Sequence, residues 1–105
     1  MQPDPVRNNN RPIVDVVLDD FSITGVLREA FKERKQLGAD RYGTPLQPFN
    51  GRCAVQDAAD EALDLVIYLT QCMVEYPDCA EYWNHYQAAL VIAEDLVLRL
   101  RQAQP

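Results

Sequence analysis

Acidic side chains recur at helical spacing in the stretch DAADEALDLVIYL, residues 57–69. On a helix, residues three, four and seven positions apart share one face. That rule places four side chains of this stretch in one stripe: Asp57, Glu61, Asp64 and Tyr68. Apolar residues flank Glu61 and Asp64 on both sides, which predicts that the two carboxylates are partly buried.

A second acidic pair, Glu29 and Glu33, shares one face of an upstream helix. If the two helices pack antiparallel, the acidic stripes meet across the groove between them. Converging carboxylates repel unless protons, Arg or Lys side chains, or a divalent cation neutralise them. Such oxygen ligands suit Mg²⁺ or Mn²⁺, ions that serve phosphoanhydride hydrolysis. A solvated acidic face explains the same spacing, with Asp57 and Asp60 complementing the dipole at the helix start.

The elements that must position these acids are helices. Hydrophobic periodicity predicts three main ones, at about 22–39, about 53–75 and about 79–102. Ser22 is the predicted N-cap of the first helix and Gly38 its predicted end. The short run IVDVVL before it, Ile13 to Leu18, is compatible with a strand or with a helical turn. Two prolines and an Asn-Gly pair predict a loop over residues 40–52.

These elements predict an all-α fold, an antiparallel helical bundle with three main helices per chain. Residues 1–21 form an N-terminal arm, extended or frayed, with a short lead-in segment, and residues 22–105 form a single helical domain. Apolar residues lie around most of the circumference of the second helix, and a single partner helix cannot cover all of them. We therefore expect self-association into a dimer or tetramer, with a core completed as in a four-helix bundle.

Composition excludes several classes of protein. Sixteen acidic residues against ten basic ones give a net charge of -6, and a chain without a basic patch is not expected to bind nucleic acid. The polar start MQPDPVRNNNRP predicts no signal peptide, and no apolar run approaches the length that spans a membrane. The three cysteines are best explained as reduced thiols, which favours a cytoplasmic protein.

Three segments together resemble the all-α nucleoside triphosphate pyrophosphohydrolases of the MazG-like group. They are Glu61-Ala-Leu-Asp64, which matches the ExxD motif, Glu29-Ala-Phe-Lys-Glu33 on the preceding helix, and the loop RYGTPLQPFNGR. The loop is similar to that of short MazG-like proteins of bacteriophages, including MazZ-type dGTP hydrolases. The resemblance covers residues 22–75. Ala30 departs from it, because the family's EExxE motif has a second glutamate there.

The resemblance implies that water attacks the α-phosphorus of a (d)NTP and gives the monophosphate and pyrophosphate. Similarity to the MazZ-type branch implies that this (d)NTP is dGTP or GTP. Glu33, Glu61 and Asp64 would be catalytic metal ligands, with Glu29 as a further ligand to two or more Mg²⁺ or Mn²⁺ ions. Asp57 and Tyr68 would assist these ligands from the same stripe. The location would be the cytoplasm, or the host cytoplasm if a phage encodes the chain.

Substrate contacts are predicted around the loop. Four basic residues flank the acids in sequence and could hold phosphates: Lys32, Lys35, Arg41 and Arg52. Asn50 could hydrogen-bond a base edge and Phe49 could stack on the base. A simple turn at Asn50-Gly51 and a core anchor at Phe49 explain the same residues. A non-catalytic helical adaptor that dimerises through its second and third helices is the alternative function.

Overall fold

The computed structural model describes residues 1–42 and 45–103, and side chains throughout that range except at 39–42. Within these residues the chain forms four helices: α1 (Ile13–Leu18), α2 (Gly25–Tyr42), α3 (Ala54–Glu75) and α4 (Ala80–Gln102). The described residues contain no strand, so the all-α prediction is confirmed. The chain divides into two compact units, Met1–Arg52 and Cys53–Pro105, and each is described by itself.

The short run IVDVVL is helical, which decides between the two alternatives left by its sequence. Pro12 precedes α1, and its fixed φ suits the start of a helix. Arg11, before the helix, donates to the carboxylate of Asp19, after it, across 2.6 Å. Lys35 Nζ of α2 lies 2.7 Å from Asp15 Oδ1 of α1, so an ion pair joins the two helices.

The bounds of α2 differ from those predicted. Ser22 does not cap the helix, because α2 begins three residues later, at Gly25. The Ser22 hydroxyl instead donates to Asp20 Oδ1 across 2.6 Å. Gly38 does not end the helix either. Among the described glycines only Gly25 and Gly51 have a positive φ, so the backbone continues helically through Gly38 to Tyr42. Residues 40–42, predicted as loop, are therefore helical.

The N-terminal arm is extended, as predicted, but it is tied along the loop instead of frayed. The N–H of Val6 donates to the carbonyl of Asn50 across 2.8 Å, and the N–H of Ile13 donates to that of Leu46 across 2.8 Å. Between these two bonds, Asn8 Nδ2 donates to the Pro48 carbonyl across 2.9 Å. Asparagine side chains thus supply partners to two segments that have no regular structure of their own.

The second unit is a helical hairpin in which α3 packs along α4. A tight turn joins them, because the N–H of Tyr76 donates to the Cys72 carbonyl across 2.8 Å and that of Cys79 to the Tyr76 carbonyl across 3.1 Å. The bounds of both helices agree with the predicted ones to within a residue at each end. None of the helices in the described part of the chain has the length and hydropathy needed to cross a membrane.

Small side chains form the fully buried part of the contact between α3 and α4, and larger ones such as Val66 and Leu69 are half-buried on the same face. The buried apolar residues of the hairpin are all alanines: Ala59, Ala62, Ala89 and Ala93. Alanines allow two helix backbones to approach closely, but they bury little apolar area. Larger apolar side chains of the same helices remain substantially exposed, among them Ile67, Val74, Trp83 and Val91.

Candidate functional site

The acidic stripe of α3 lies on the face turned away from α4. Glu61 follows the buried Ala59 by two residues, and Asp64 follows the buried Ala62 by two residues. Two residues correspond to slightly more than half a helical turn, so each carboxylate lies opposite a contact alanine. Asp57 and Tyr68 share that face. The predicted stripe is therefore a real feature of α3.

The stripe is more open than its sequence predicts. Glu61 and Asp64 are exposed, and Asp57 is half-buried. Their apolar neighbours Leu65 and Ile67 are 47% and 66% exposed, so they do not close over the carboxylates. Glu61 and Asp64 are exposed in the single chain because they lie opposite its contact with α4, and their partial burial by further helices stays a prediction.

Asp60 behaves as the surface charge that its position off the stripe predicts. It is exposed, and its Oδ1 accepts a hydrogen bond from Gln56 Nε2 across 2.9 Å. This pair spans one turn of α3, a spacing at which side chains support a helix locally. Asp60 is therefore a matched control for Glu61 and Asp64 on the same helix.

The other two candidate ligands, Glu29 and Glu33, lie one turn apart on α2 and are both exposed. Lys32 Nζ lies 3.4 Å from Glu29 Oε1, so a candidate phosphate contact pairs with a candidate metal ligand. An exposed pair of this kind stabilises a helix by only about 0.3–0.5 kcal/mol. The two acidic pairs belong to different units, and their meeting across a groove stays a prediction.

A complete metal centre is not assembled within either unit. No three His, Cys, Asp or Glu side chains of the described residues form a group that could hold a metal ion. Mg²⁺ nevertheless keeps several waters and is usually bound by one or two carboxylates together with substrate phosphates. Glu61 and Asp64, adjacent on one exposed helix face, fit such a partial ligand set by chemistry and by position.

Asn50 shapes the loop from inside. It is 8% exposed, its Oδ1 accepts the N–H of Arg52 across 3.1 Å, and its carbonyl accepts the N–H of Val6. Gly51 follows with a φ of 83°, in the left-handed region that favours glycine. The turn explanation of Asn50-Gly51 is confirmed, and hydrogen bonding to a base edge stays a prediction.

Phe49, next to that turn, does not anchor the loop on a core. Its side chain is 89% exposed, and its φ of 55° is unusual for an aromatic residue. The N-terminal arm supports this backbone, because Asn8 Nδ2 also donates to the Phe49 carbonyl across 3.2 Å. The core-anchor alternative is wrong, and one ring is left open to solvent, as stacking would require.

The predicted phosphate-binding cations have structural contacts of their own. Arg52 Nη1 donates to the Pro3 carbonyl across 2.8 Å, which fastens the start of the arm. Lys35 pairs with Asp15, as described above. The side chain of Arg41 lies outside the described residues. A phosphate bound by Arg52 would therefore meet a guanidinium already oriented by the backbone of the arm.

The distribution of charge between the units is a feature that the motif search missed. Residues 53–105 contain nine acidic side chains and two basic ones, Arg99 and Arg101. No lysine or arginine occurs between Arg52 and Arg99. The spacing of lysine and arginine along the sequence could have shown this uneven distribution of charge. Such a unit attracts cations from solution and repels anions unless cations accompany them.

The three cysteines are free thiols, as predicted. Cys53 and Cys79 immediately precede α3 and α4. The Cys79 thiol donates to Glu81 Oε2 across 3.2 Å. The backbone N–H of Glu81 and, after it, this thiol lower the pKa of the Glu81 carboxyl. Glu81 thus adds a charge to the acidic unit near the start of α4, where the helix dipole favours it.

Comparison with known proteins found no relative of this chain. Neither a protein-family model, nor a curated protein, nor a solved structure matches the chain. The resemblance to the MazG-like group therefore rests on the sequence motifs alone.

Proposed function

We propose that this protein is a divalent-metal-dependent nucleoside triphosphate pyrophosphohydrolase. The observation that carries the proposal is the face of α3 opposite α4, on which Glu61 and Asp64 lie exposed between Asp57 and Tyr68. Among the described residues, neither Glu61 nor Asp64 forms an ion pair with a lysine or arginine, so no such pair competes with a metal ion for these two carboxylates. The resemblance to the MazG-like group supplies the reaction and the preference for dGTP or GTP.

In this proposal Glu61, Asp64 and Glu33 would hold two or more Mg²⁺ or Mn²⁺ ions, and Glu29 would add a ligand. When bound, such ions neutralise phosphate charge and lower the pKa of coordinated water. A carboxylate of this set accepts the proton of the attacking water. The bond between the α-phosphorus and its bridging oxygen breaks, and pyrophosphate leaves as the monophosphate forms.

The remaining candidates orient the substrate and the ligands. Tyr68, on the same face as Asp64, hydrogen-bonds a ligand carboxylate and fixes its orientation. Arg52 and Lys32 contact the β- and γ-phosphates, and Phe49 stacks on the base with its open ring. Asn50 contributes its amide at the edge of the base. Asp57, half-buried on α3, assists the neighbouring carboxylates.

Self-association is part of the proposal. A hairpin that buries only alanines gains little from its own core, and its larger apolar side chains need cover. Helical periodicity places Leu63, Ile67 and Val74 together on one flank of α3. We infer that a second copy covers this flank and completes a four-helix-bundle-like dimer or tetramer.

The experiment is a panel of dNTPs and NTPs with Mg²⁺, scored separately for pyrophosphate and orthophosphate. We expect pyrophosphate release and a loss of about 100-fold or more in Glu61→Gln and Asp64→Asn, since each removes a charged ligand. Asp60→Asn, the matched control, keeps the activity. Release of orthophosphate would contradict attack at the α-phosphorus.

A non-catalytic adaptor is the second candidate, and exposed apolar side chains on α4 favour it. Val91, Ile92 and Leu98 are 69%, 53% and 49% exposed and could receive a partner helix. An adaptor would turn over no nucleotide, and its midpoint of thermal unfolding would not respond to Mg²⁺ or Mn²⁺. A ligand that binds only the folded enzyme would raise that midpoint.

A further inference from the structure

The turn from α3 to α4 borders an open cavity of about 410 Å³. Its lining consists of Glu75, Tyr76, Pro77, Asp78 and Cys79, all of which belong to the second unit. The volume falls within the range of small-molecule sites, about 300–1,000 Å³. None of the lining residues has a part in the proposed hydrolase or in the apolar flank of α3.

The backbone around this cavity is fixed by the chain itself. Besides the two bonds of the turn described above, the N–H of Tyr82 donates to the Cys79 carbonyl across 3.4 Å. Pro77, in the middle of the turn, has a φ restricted by its ring. A cavity whose backbone is ordered before binding spares a ligand the cost of ordering it.

One wall of the cavity is an aromatic ring that is open to solvent. The Tyr76 side chain lines the cavity and is 59% exposed. The ring of Tyr82 lies against it, with centroids 6.1 Å apart and planes inclined at 46°. This contact orients the Tyr76 ring and leaves much of it uncovered. The face of an aromatic ring carries partial negative charge and attracts cations.

Two carboxylates accompany that ring. Glu75 precedes Tyr76, Asp78 follows it by two residues, and both are exposed side chains that line the same cavity. Among the described residues, neither carboxylate forms an ion pair with a lysine or arginine. An ammonium group that carries alkyl groups fits this combination, because it can lie on an aromatic face while its charge stays near the carboxylates.

We propose that the cavity at the turn between α3 and α4 binds a small organic cation, an alkylated ammonium group of the size of choline. The cation lies on the Tyr76 ring, and Glu75 and Asp78 neutralise its charge. The ring provides the selectivity, because carboxylates alone attract any cation, including sodium. No residue is shared with the proposed hydrolase site, so failure of either proposal leaves the other standing.

The test is an NMR titration of the ¹⁵N-labelled full chain without divalent metal. Choline chloride replaces sodium chloride at constant ionic strength, so a general response to salt cancels. The second probe, 3,3-dimethyl-1-butanol, has the shape of choline without its charge. We expect choline to shift the amide signals of Tyr76, Asp78 and Cys79 with a Kd on the order of 10 mM. The neutral alcohol should bind at least about fivefold more weakly.

Two pairs of variants separate the ring from the carboxylates. Tyr76→Leu should weaken choline binding by about fivefold, whereas Tyr76→Phe, which keeps the ring, should retain it. Asp78→Asn should weaken binding by about threefold. Glu94→Gln, an equal loss of charge at an exposed position farther along α4, should leave it unchanged. Circular dichroism of each variant confirms that the helices are intact.

Three results would overturn the proposal. The first is an absence of saturable shifts up to about 100 mM choline. The second is equal binding of the neutral alcohol, which would indicate a merely apolar cavity. The third is unchanged binding in Tyr76→Leu, which would indicate attraction by the carboxylates alone. A free solute and the headgroup of phosphatidylcholine would both support the proposal, and co-sedimentation with phosphatidylcholine vesicles distinguishes these two sources.

Discussion

Lys32 Nζ lies 3.4 Å from Glu29 Oε1 on the exposed surface of α2. The sequence suggests separate roles for the two residues, one on a phosphate and the other on a metal ion, but they are neighbours. A lysine beside a carboxylate lowers its attraction for a second cation. Among the described residues Glu61 forms no ion pair with a lysine or arginine, so the two glutamates should differ as metal ligands.

The first prediction concerns that difference. Glu61→Gln should weaken Mn²⁺ binding by about tenfold or more, and Glu29→Gln by less than about threefold. Calorimetric titration of each variant with Mn²⁺ measures both losses. Asp60→Asn removes a charge from the same helix but off the stripe, and it should match the unsubstituted protein. Equal losses in all three variants would indicate a diffuse effect of net charge.

The second prediction tests the alanine contact between α3 and α4. Ala59 is 1% exposed, so Ala59→Leu must push the helices apart and should cost about 1–3 kcal/mol. Thermal unfolding followed by circular dichroism should show a midpoint lower by several degrees. Ala58→Leu, one position along and exposed, should leave the midpoint nearly unchanged.

The third prediction compares two glycines of the first unit. Gly38 lies inside α2 with no atom within 4 Å of an added Cβ, so Gly38→Ala should stabilise the fold by about 0.5–1 kcal/mol. Gly51→Ala should destabilise it by about 1 kcal/mol, because φ is 83° there. The Val6 methyl would lie 3.8 Å from the new Cβ, an ordinary contact, so the cost comes from the backbone. Chemical denaturation of both variants tests the opposite signs.

The fourth prediction concerns acid. The hydrogen bond from Arg11 lowers the pKa of the Asp19 carboxyl below its ordinary value. A depressed pKa in the folded state stabilises the fold at higher pH, and this stabilisation is lost as pH falls through the folded pKa, below about pH 4. Carboxyl-carbon NMR should find the lowered pKa, and Arg11→Gln should return it toward the ordinary value. Arg101→Gln should leave it where it is.

The fifth prediction tests self-association. Ile67 is 66% exposed on the apolar flank of α3, so Ile67→Glu should shift the protein toward the monomer in sedimentation velocity. Ala58→Glu is the control, because it places the same charge at an exposed position on the opposite flank of the same helix. A monomeric unsubstituted protein at all concentrations would contradict the proposed dimer.

The strongest sequence patterns predicted the second unit well. A long apolar period, interrupted at Pro77, marked α3 and α4 nearly to the residue, because burial of one face decides where such helices form. The stripe of Glu61 and Asp64 followed from the same geometry. Their exposure did not, because apolar neighbours in sequence say nothing about which side chains the partner helix covers.

Local signals in the first unit were weaker guides. Ser22 has the chemistry of an N-cap, but Asp20 offers its hydroxyl a nearer acceptor, and Gly38 is compatible with a helix whenever its φ stays negative. The tie between Asn8 and Gln47 joins residues far apart in sequence. A pattern found over a short window cannot contain such a contact, so the hydrogen bonds that tie the arm to the loop were not predicted.

The interval without lysine or arginine between Arg52 and Arg99 has a practical consequence for protein chemistry. Trypsin cleaves after lysine and arginine, so it has no cleavage site between Arg52 and Arg99, a span that contains α3 and most of α4. The first of those two arginines ends one compact unit, and the second lies in the last turn of α4. Digestion therefore excises the hairpin from Cys53 to Arg99 as one peptide, which mass spectrometry can follow as a direct measure of access to the junction between the two units.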